Sequence, residues 1–161
     1  MKILRYPNKS LSTPTNKWNF EVDKDLNKIV EEMMEIMHSK NGVALAANQI
    51  GIMKSVIVVD ERHTLLPPML INPTIYLNGE TRLSSEGCLS FPGITLAIDR
   101  SLSVDCEYYD ERFVSHNLSA ANFNAFVLQH ECDHLNGKTF LDRISRKDKF
   151  KVIESMMKRR V

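Results

Sequence analysis

Phe123-Asn124-Ala125-Phe126-Val127-Leu128-Gln129-His130-Glu131-Cys132-Asp133-His134-Leu135-Asn136-Gly137 carries more structural information than any other part of this chain. Phe123, Phe126, Val127, Leu128 and Leu135 supply the apolar face of a helix that the sequence predicts to begin at Ser119, and Asn136-Gly137 is its stop. On such a helix His130 and His134, four residues apart, project from one face with their imidazoles close enough to share a metal ion. Glu131 lies beside them, where a carboxylate can reach a metal-bound water and shuttle its proton. The same five residues also fit a helix that happens to carry two histidines and acidic neighbours on a solvated face. Cys132, rotated about 200° from His130 at about 100° per residue, is assigned to packing.

Upstream of this helix, short β-branched runs at 55–60, 69–72, 75–77, 95–99, 101–109 and 112–118 read as strands. Tyr109-Asp110-Glu111-Arg112 reads as a hairpin turn, and no βαβ alternation interrupts the block, so the sheet is expected to be antiparallel or mixed. At 23–37 Leu26, Ile29, Val30, Met33, Ile36 and Met37 recur at helical spacing, with Asp23 or Asp25 available as N-cap and Ser39-Lys40-Asn41-Gly42 as the stop. A third helix is expected at 146–160, with a weaker stripe of Phe150, Val152, Ile153, Met156 and Met157. The order predicts an α+β fold: antiparallel or mixed sheets packed around a central, metal-binding helix, with an N-terminal helix and a C-terminal helix. No repeat or linker divides it, so residues 1–161 are expected to form a single domain.

Composition narrows the function classes. The chain has 161 residues, 43% of them hydrophobic, which excludes wholesale disorder. Lysine and arginine number 21 against 20 acidic residues, a net charge of +1 that leaves no global electrostatic footprint for nucleic acid. The apolar stretches 43–47 and 56–59 fall far short of the roughly 18 residues that span a bilayer. Met1-Lys2-Ile3-Leu4-Arg5-Tyr6-Pro7 places charge and proline where a signal peptide needs an apolar run, so a cytoplasmic location is expected. Three cysteines are too few for a disulfide framework, which leaves metal ligation, catalysis or burial. Cys106, in an alternating strand, fits burial.

Cys88 is different: Glu86-Gly87-Cys88-Leu89-Ser90 sets it beside a glycine in a loop. Its thiolate with His130 and His134 would make three protein ligands and leave a fourth position open for water, as catalytic tetrahedral sites require. A small buried side chain is the other reading of a lone cysteine. Gly42-Val43-Ala44-Leu45-Ala46-Ala47-Asn48-Gln49 is small and apolar, then polar, which suits either close approach of a substrate or tight helix packing. His38, His63 and His116 are isolated and receive no role.

Together, in this order, the three segments resemble the peptide deformylase family, whose motifs are a Gly-x-Gly-x-Ala-Ala-x-Gln loop, Glu-Gly-Cys-Leu-Ser, and His-Glu-x-x-His on a helix. The second segment matches at every position from Glu86 to Ser90, and the third from Gln129 to Leu135, with Gly137 following. Ile3-Leu4-Arg5-Tyr6-Pro7 is similar to the family's opening, Arg100 lies where the family places an arginine pairing with the motif glutamate, and Leu141-Asp142 follows the helix as in the family. Ala44 departs from the pattern, standing where a second glycine is usual. The added methyl could narrow a substrate channel and, at a positive φ, would cost strain; as the smallest replacement it is expected to be tolerated.

The resemblance implies hydrolytic removal of the formyl group from the N-formylmethionine of nascent polypeptides, releasing formate. It implies that Cys88, His130 and His134 hold a divalent metal whose bound water attacks the formyl carbon, with Glu131 as general base and acid. The Gln49 side chain and the Leu89 backbone N–H would stabilise the oxyanion, while Gly42, Val43, Ala44 and Gly87 border the peptide. Glu86 would pair with Arg100 to hold the cysteine loop. Ligand chemistry favours zinc, whereas the family implies ferrous iron physiologically, with zinc, nickel or cobalt able to replace it in purified protein. Phe123, Phe126 and Val127 are candidates for the methionine pocket or for ordinary core.

Beyond Leu141, Arg143, Arg146, Lys147, Lys149, Lys151, Lys158, Arg159 and Arg160 face Asp142, Asp148 and Glu154, which is either a solvated helix or, as the resemblance implies, a ribosome-docking segment. A monomer without membrane contact is expected. Two competing readings remain at this stage: a zinc endopeptidase, against which Cys88 argues, and a non-catalytic binder of formylated peptides, against which intact Glu131 and Gln49 argue.

Overall fold

Residues that often end strands lie inside the two longest strands of this protein. The computed structural model describes residues 1–158. In chain order these form α1 (Leu26–Ser39), β1 (Ala44–Ala46), β2 (Val56–Val59), β3 (Met69–Gly87), β4 (Thr95–Tyr109), β5 (Ser115–Ala121), α2 (Phe123–Leu135) and α3 (Arg146–Lys158), with short 3-10 turns between. The strands make one sheet in the order β1-β2-β3-β4-β5. Every pairing is antiparallel, so of the two expected arrangements the antiparallel one is adopted.

Several predicted boundaries are corrected. The runs at 69–72 and 75–77 fuse and continue to Gly87, because Asn72-Pro73 and Asn78-Gly79 form bulges instead of ends. Asn72 and Gly79 adopt φ 51 and 75, which absorbs the extra residues and lets pairing resume beyond each register shift. Likewise 95–99 and 101–109 form one strand through Arg100. Ser119 does not begin the helix: it pairs with Asp105 across the sheet and its hydroxyl donates to Asp105 Oδ1 at 2.5 Å, so strand pairing prevails until Asn122 turns the chain into α2. The residues from Arg112 to Val114, expected to open a strand, lie in the turn before it, where Asp110 Oδ1 accepts from the N–H groups of Arg112 and Val114. Asp25 occupies the N-cap position of α1 but its side chain caps nothing, and Asp23 instead accepts from Asn19 N–H and pairs with Lys54 at 2.6 Å.

The period-two alternation of a strand decides what lies on each face of the sheet. From β1 and β2, Leu45, Val56 and Val58 pack with Met33 and Met37 of α1, while Ala46, Ile57 and Val59 pack with Ala125, Leu128 and Cys132 of α2. All four residues of β2 are buried because both of its faces are covered. A third cluster of Phe91, Ile98, Phe140 and Leu141 receives Val152, Ile153 and Met156 from α3. Phe150 and Met157, predicted on the same stripe, are 71% and 65% exposed and take no part in it. Arg159 and Arg160 lie outside the described residues.

The central helix expected from sequence is α2, and it is buried from Val127 to Leu135, polar residues included. Buried polar groups need partners inside the protein. Gln129 finds them on β4, donating to Ser101 O at 2.9 Å and accepting from Ser101 N–H at 3.0 Å. Asp133 accepts from Arg100 Nη1 at 2.7 Å and from Arg143 Nε at 2.9 Å. Arg100, 3% exposed, also grips Glu86 of β3 with two bonds of 2.7 and 3.0 Å. Two carboxylates and two guanidiniums thus join β3, β4, α2 and the segment before α3.

Replacing Arg100 with methionine leaves buried Glu86 with His130 alone and buried Asp133 with Arg143 alone, and is expected to lower the unfolding free energy by about 3–5 kcal/mol. Arg143→Met should cost well under half of that, because Arg143 is 41% exposed and Asp133 keeps Arg100. Equal losses in urea titrations would refute this ranking. Gly137, at φ +67, ends α2 where an added Cβ would lie 2.7 Å from Pro14 N and Thr13 C. Gly137→Ala combines strain and clash for an expected loss of about 2–4 kcal/mol. Gly79→Ala, with φ +75 and only Ser103 Oγ at 3.4 Å, should cost about 1 kcal/mol in the same titration.

Candidate active site

β3 ends at Gly87, and the chain leaves the sheet at Cys88 directly in front of the His130 face of α2. One turn of helix separates His130 from His134, whose rings approach edge to face with centroids 5.0 Å apart. Donor atoms of Cys88, His130 and His134 all lie within 4.8 Å of one another, and Cys88 Sγ is 3.2 Å from His134 Nε2. The three residues predicted as a ligand set are therefore brought together. Cys106 and Cys132 are buried apart from it, as their packing assignment requires.

The surroundings of these donors fit a metal ion. His130 Nδ1 is held by Glu86 Oε2 at 2.8 Å, which fixes the ring and leaves Nε2 free for a ligand, the arrangement in which a carboxylate orients a metal-binding imidazole. Thiolate with two imidazoles is a donor set for a borderline-soft divalent cation. His134 is positioned through its backbone, since its carbonyl accepts from Asn48 Nδ2 at 2.5 Å. The bond from Glu86 to His130 was not foreseen. Sequence reasoning placed Glu86 with Arg100 alone, and the two residues do meet, but the same carboxylate also reaches the histidine. Asp133 was treated as a wild card of the motif; its signal was an acid on a helix whose neighbours are nearly all apolar or ligating.

Charges within the site are set by burial and by these bonds. Burial pushes the Glu86 carboxyl up, but the bonds from Arg100 and His130 outweigh it and bring its pKa to about 2. Burial pushes the Glu131 carboxyl up to about 7, against the opposing His130 charge. Glu131 is 5% exposed, and its Oε2 is buried with no hydrogen-bond partner among the described residues. The residues predicted for the oxyanion also converge. Gln49 Oε1 accepts from Ala46 N–H at 2.9 Å, which turns its Nε2 toward Cys88 Sγ at 3.5 Å and Ser90 Oγ at 3.2 Å. Leu89 N–H donates to no described residue.

A cavity of about 1140 Å³ opens beside these groups. Gly42, Val43, Ala44, Gly87, Leu89, Gln49 and Glu131 all line it, and so do Phe123, Phe126 and Val127. Ala44 lies in β1 opposite Val59, outside the positive-φ region, so its methyl carries no backbone strain. Gly42 is the tighter position: a Cβ there would meet Leu89 Cδ1 at 2.8 Å and displace the end of that side chain. β1 is the edge of the sheet. The bond from Asp60 N–H to Val43 O fixes the alternation of the β1–β2 ladder and directs the N–H and C=O of Ala44 away from β2, toward the open edge.

The polypeptide deformylase family model matches residues 1–150. A peptide deformylase of Aquifex aeolicus is 41% identical over 147 residues, covering 88% of this chain and 86% of that protein. A peptide deformylase-like protein of Rickettsia conorii is 40% identical over 140 residues, covering 85% and 76% respectively. The crystal structure of peptide deformylase from Ehrlichia chaffeensis in complex with actinonin matches with a TM-score of 0.89 and 34% identity, over 99% of this chain and 96% of that one. With the fold, the assembled Cys-His-His group and these relatives in agreement, the chain belongs to the peptide deformylase family of metal-dependent enzymes.

Proposed function

We propose that this protein removes the formyl group from N-formylmethionine at the start of nascent polypeptides, and that residues 1–161 act as one catalytic domain. The convergence of Cys88, His130 and His134 beside Glu131 and Gln49, at the wall of an open cavity, is the observation that carries this reading. Cys88, His130 and His134 hold a divalent cation, ferrous iron physiologically, which when bound acidifies water and polarises a carbonyl oxygen. Zinc, nickel or cobalt replaces it in purified protein. Glu131 takes a proton from the attacking water and returns it to the leaving amine; a buried carboxyl with a pKa near neutrality and an unsatisfied oxygen is suited to both transfers. Gln49 Nε2 and the Leu89 N–H donate to the oxygen on which negative charge develops. Glu86 acts one step back, orienting His130 and anchoring the cysteine loop through Arg100.

Substrate binding follows from the open edge. An extended peptide whose formyl group lies at the Cys88 group runs antiparallel to β1 and exchanges backbone bonds with Ala44, as strand addition requires. Gly42, Val43 and Gly87 border it, and Phe123, Phe126 and Val127 offer an apolar surface for the methionine side chain. Among the described residues no helix is long and apolar enough to cross a membrane. The enzyme works as a cytoplasmic monomer. α3 packs its Val152, Ile153 and Met156 inward, with Lys149 on the same face paired to Asp142, which leaves Lys147 and Lys151 on the outward side, suited to contact ribosomal phosphates.

Anaerobic protein loaded with ferrous iron is expected to release formate from formyl-Met-Ala-Ser, and Glu131→Ala to reduce kcat by at least about 100-fold. Metal analysis of both samples should show equal occupancy. Formate release that survives in Glu131→Ala would refute the assignment of the base, and a fully loaded parent without turnover would refute the activity. Because Ala44 is unstrained, Ala44→Gly should change kcat/KM by less than about threefold, under 1 kcal/mol. For the ribosome, deleting residues 158–161 should weaken co-sedimentation at low salt; unchanged co-sedimentation would remove that role from the terminal cluster.

A further inference from the structure

The cavity beside the Cys88 group has a charge pattern that the chemistry at its floor does not need. Glu86 and Glu131 are the acidic residues among its lining, and both are buried, with Glu86 committed to Arg100 and His130. The exposed charged residues on its wall are all basic: Lys2, Arg5 and Lys40. No described carboxylate lies within ion-pair distance of any of them. Net charge is only +1, so this concentration of one sign is local to the mouth.

Two of the three cations, Arg5 and Lys40, stand on pinned backbone. Arg5 lies between Leu4, whose N–H donates to Gln49 O at 2.7 Å, and Tyr6, whose N–H donates to Ser90 O at 3.1 Å. Lys40 closes α1 with its N–H on Met37 O, two residues before Gly42, whose N–H bonds to the same carbonyl. Arg5 therefore stands beside the segments of Gln49 and Ser90, Lys2 lines the same cavity two residues before Leu4, and Lys40 flanks the approach to β1. In an antiparallel pairing with β1, a peptide residue opposite Ala44 is followed two positions later by one opposite Gly42. With methionine beside Ala44, the third residue comes level with Gly42, within reach of the long Lys40 side chain, and later residues pass between the cations.

We infer that Lys2, Arg5 and Lys40 form a specificity rim that favours formylmethionyl chains carrying an acidic side chain at the third or a later position. The inference rests on the deformylase reading and deepens it. A carboxylate there gains charge complementarity without touching the reacting atoms, so the preference resides in binding and appears in KM more than in kcat. Exposed charges at a mouth are screened by salt, which sets both the modest size of the effect and its ionic-strength dependence.

The test compares formyl-Met-Ala-Glu, formyl-Met-Ala-Gln and formyl-Met-Ala-Lys, all with amidated C-termini, on the iron-loaded full-length enzyme. Expected is kcat/KM in the order Glu, Gln, Lys, with about a 3–10-fold spread at low salt that shrinks toward unity at about 0.5 M salt. In the triple variant Lys2→Gln/Arg5→Gln/Lys40→Gln the Glu-to-Lys ratio should fall to about one, a ratio that needs no assumption about overall rate. Equal turnover of the three amides overturns the preference alone. So does a gain seen only when a free C-terminal carboxylate replaces the amide, because the rim would then read chain ends instead of side chains. Absence of formate from every peptide overturns the deformylase reading and the preference with it.

Discussion

Arg100 sits where two strands and a helix must agree. Its guanidinium, nearly sealed from water, binds Glu86 from β3 and Asp133 from α2 while its own backbone belongs to β4. None of these three charges is tolerable alone in the interior, so each fixes the place of the other two. Glu86 and Arg100 are not cross-strand neighbours: Glu86 pairs with Leu96, four positions earlier on β4. The two long side chains meet end to end along the sheet, which makes the contact sensitive to register. A slip of β3 against β4 would separate the pair and expose the charges to an apolar surround. Since Glu86 also holds His130 and stands two residues before Cys88, the constraint that locks the sheet also sets two of the three donors that face the cavity.

A division of labour follows among the polar groups around α2. Some are fully used by the fold: Gln129 is spent on Ser101 and Asp133 on its two arginines. Others keep capacity: among the described residues Glu131 Oε2, His134 Nδ1 and Asn48 Oδ1 are buried without a partner, and the Leu89 N–H at the loop donates to none. Gln129 and Asp133 lie outside the cavity lining, and the capacity of Glu131 and Leu89 is turned to the cavity that both line. That distribution separates groups that make the structure from groups available to a reacting molecule.

Local patterns legible in the sequence were those whose physics is local. Helical spacing placed His130 and His134 on one face, and the α+β order, the N-terminal helix and the packing roles of Cys106 and Cys132 followed from periodicity. Cys88 could be joined to the histidines because the donor chemistry asked for a third ligand. Long-range facts were out of reach. Asn72-Pro73 and Asn78-Gly79 have turn-forming dipeptides, and only the pairing partner on β4 shows that they are bulges inside one strand. Ser119-Ala120-Ala121 has ordinary helix propensity, overridden by β4 on one side. The Glu86–His130 bond joins residues 44 apart, and no local pattern carries it. Phe150 and Met157 keep helical spacing with the buried face of α3 yet point to solvent, because the partner surface is narrower than the stripe.

The N-terminal segment completes the walls of the cavity from a distance. Leu4 and Tyr6 bond to the Gln49 and Ser90 carbonyls, and Thr15 donates twice to Leu135 O, 120 residues away, through its N–H at 2.8 Å and its hydroxyl at 3.1 Å. This segment is therefore secured late, since its partner at the end of α2 is synthesised 120 residues after it. Biosynthesis passes through an interval in which the strands can pair but the cavity lacks one wall. Any extension fused ahead of Met1 would begin at the mouth of that cavity, where Lys2 already stands, and would compete with whatever peptide enters it.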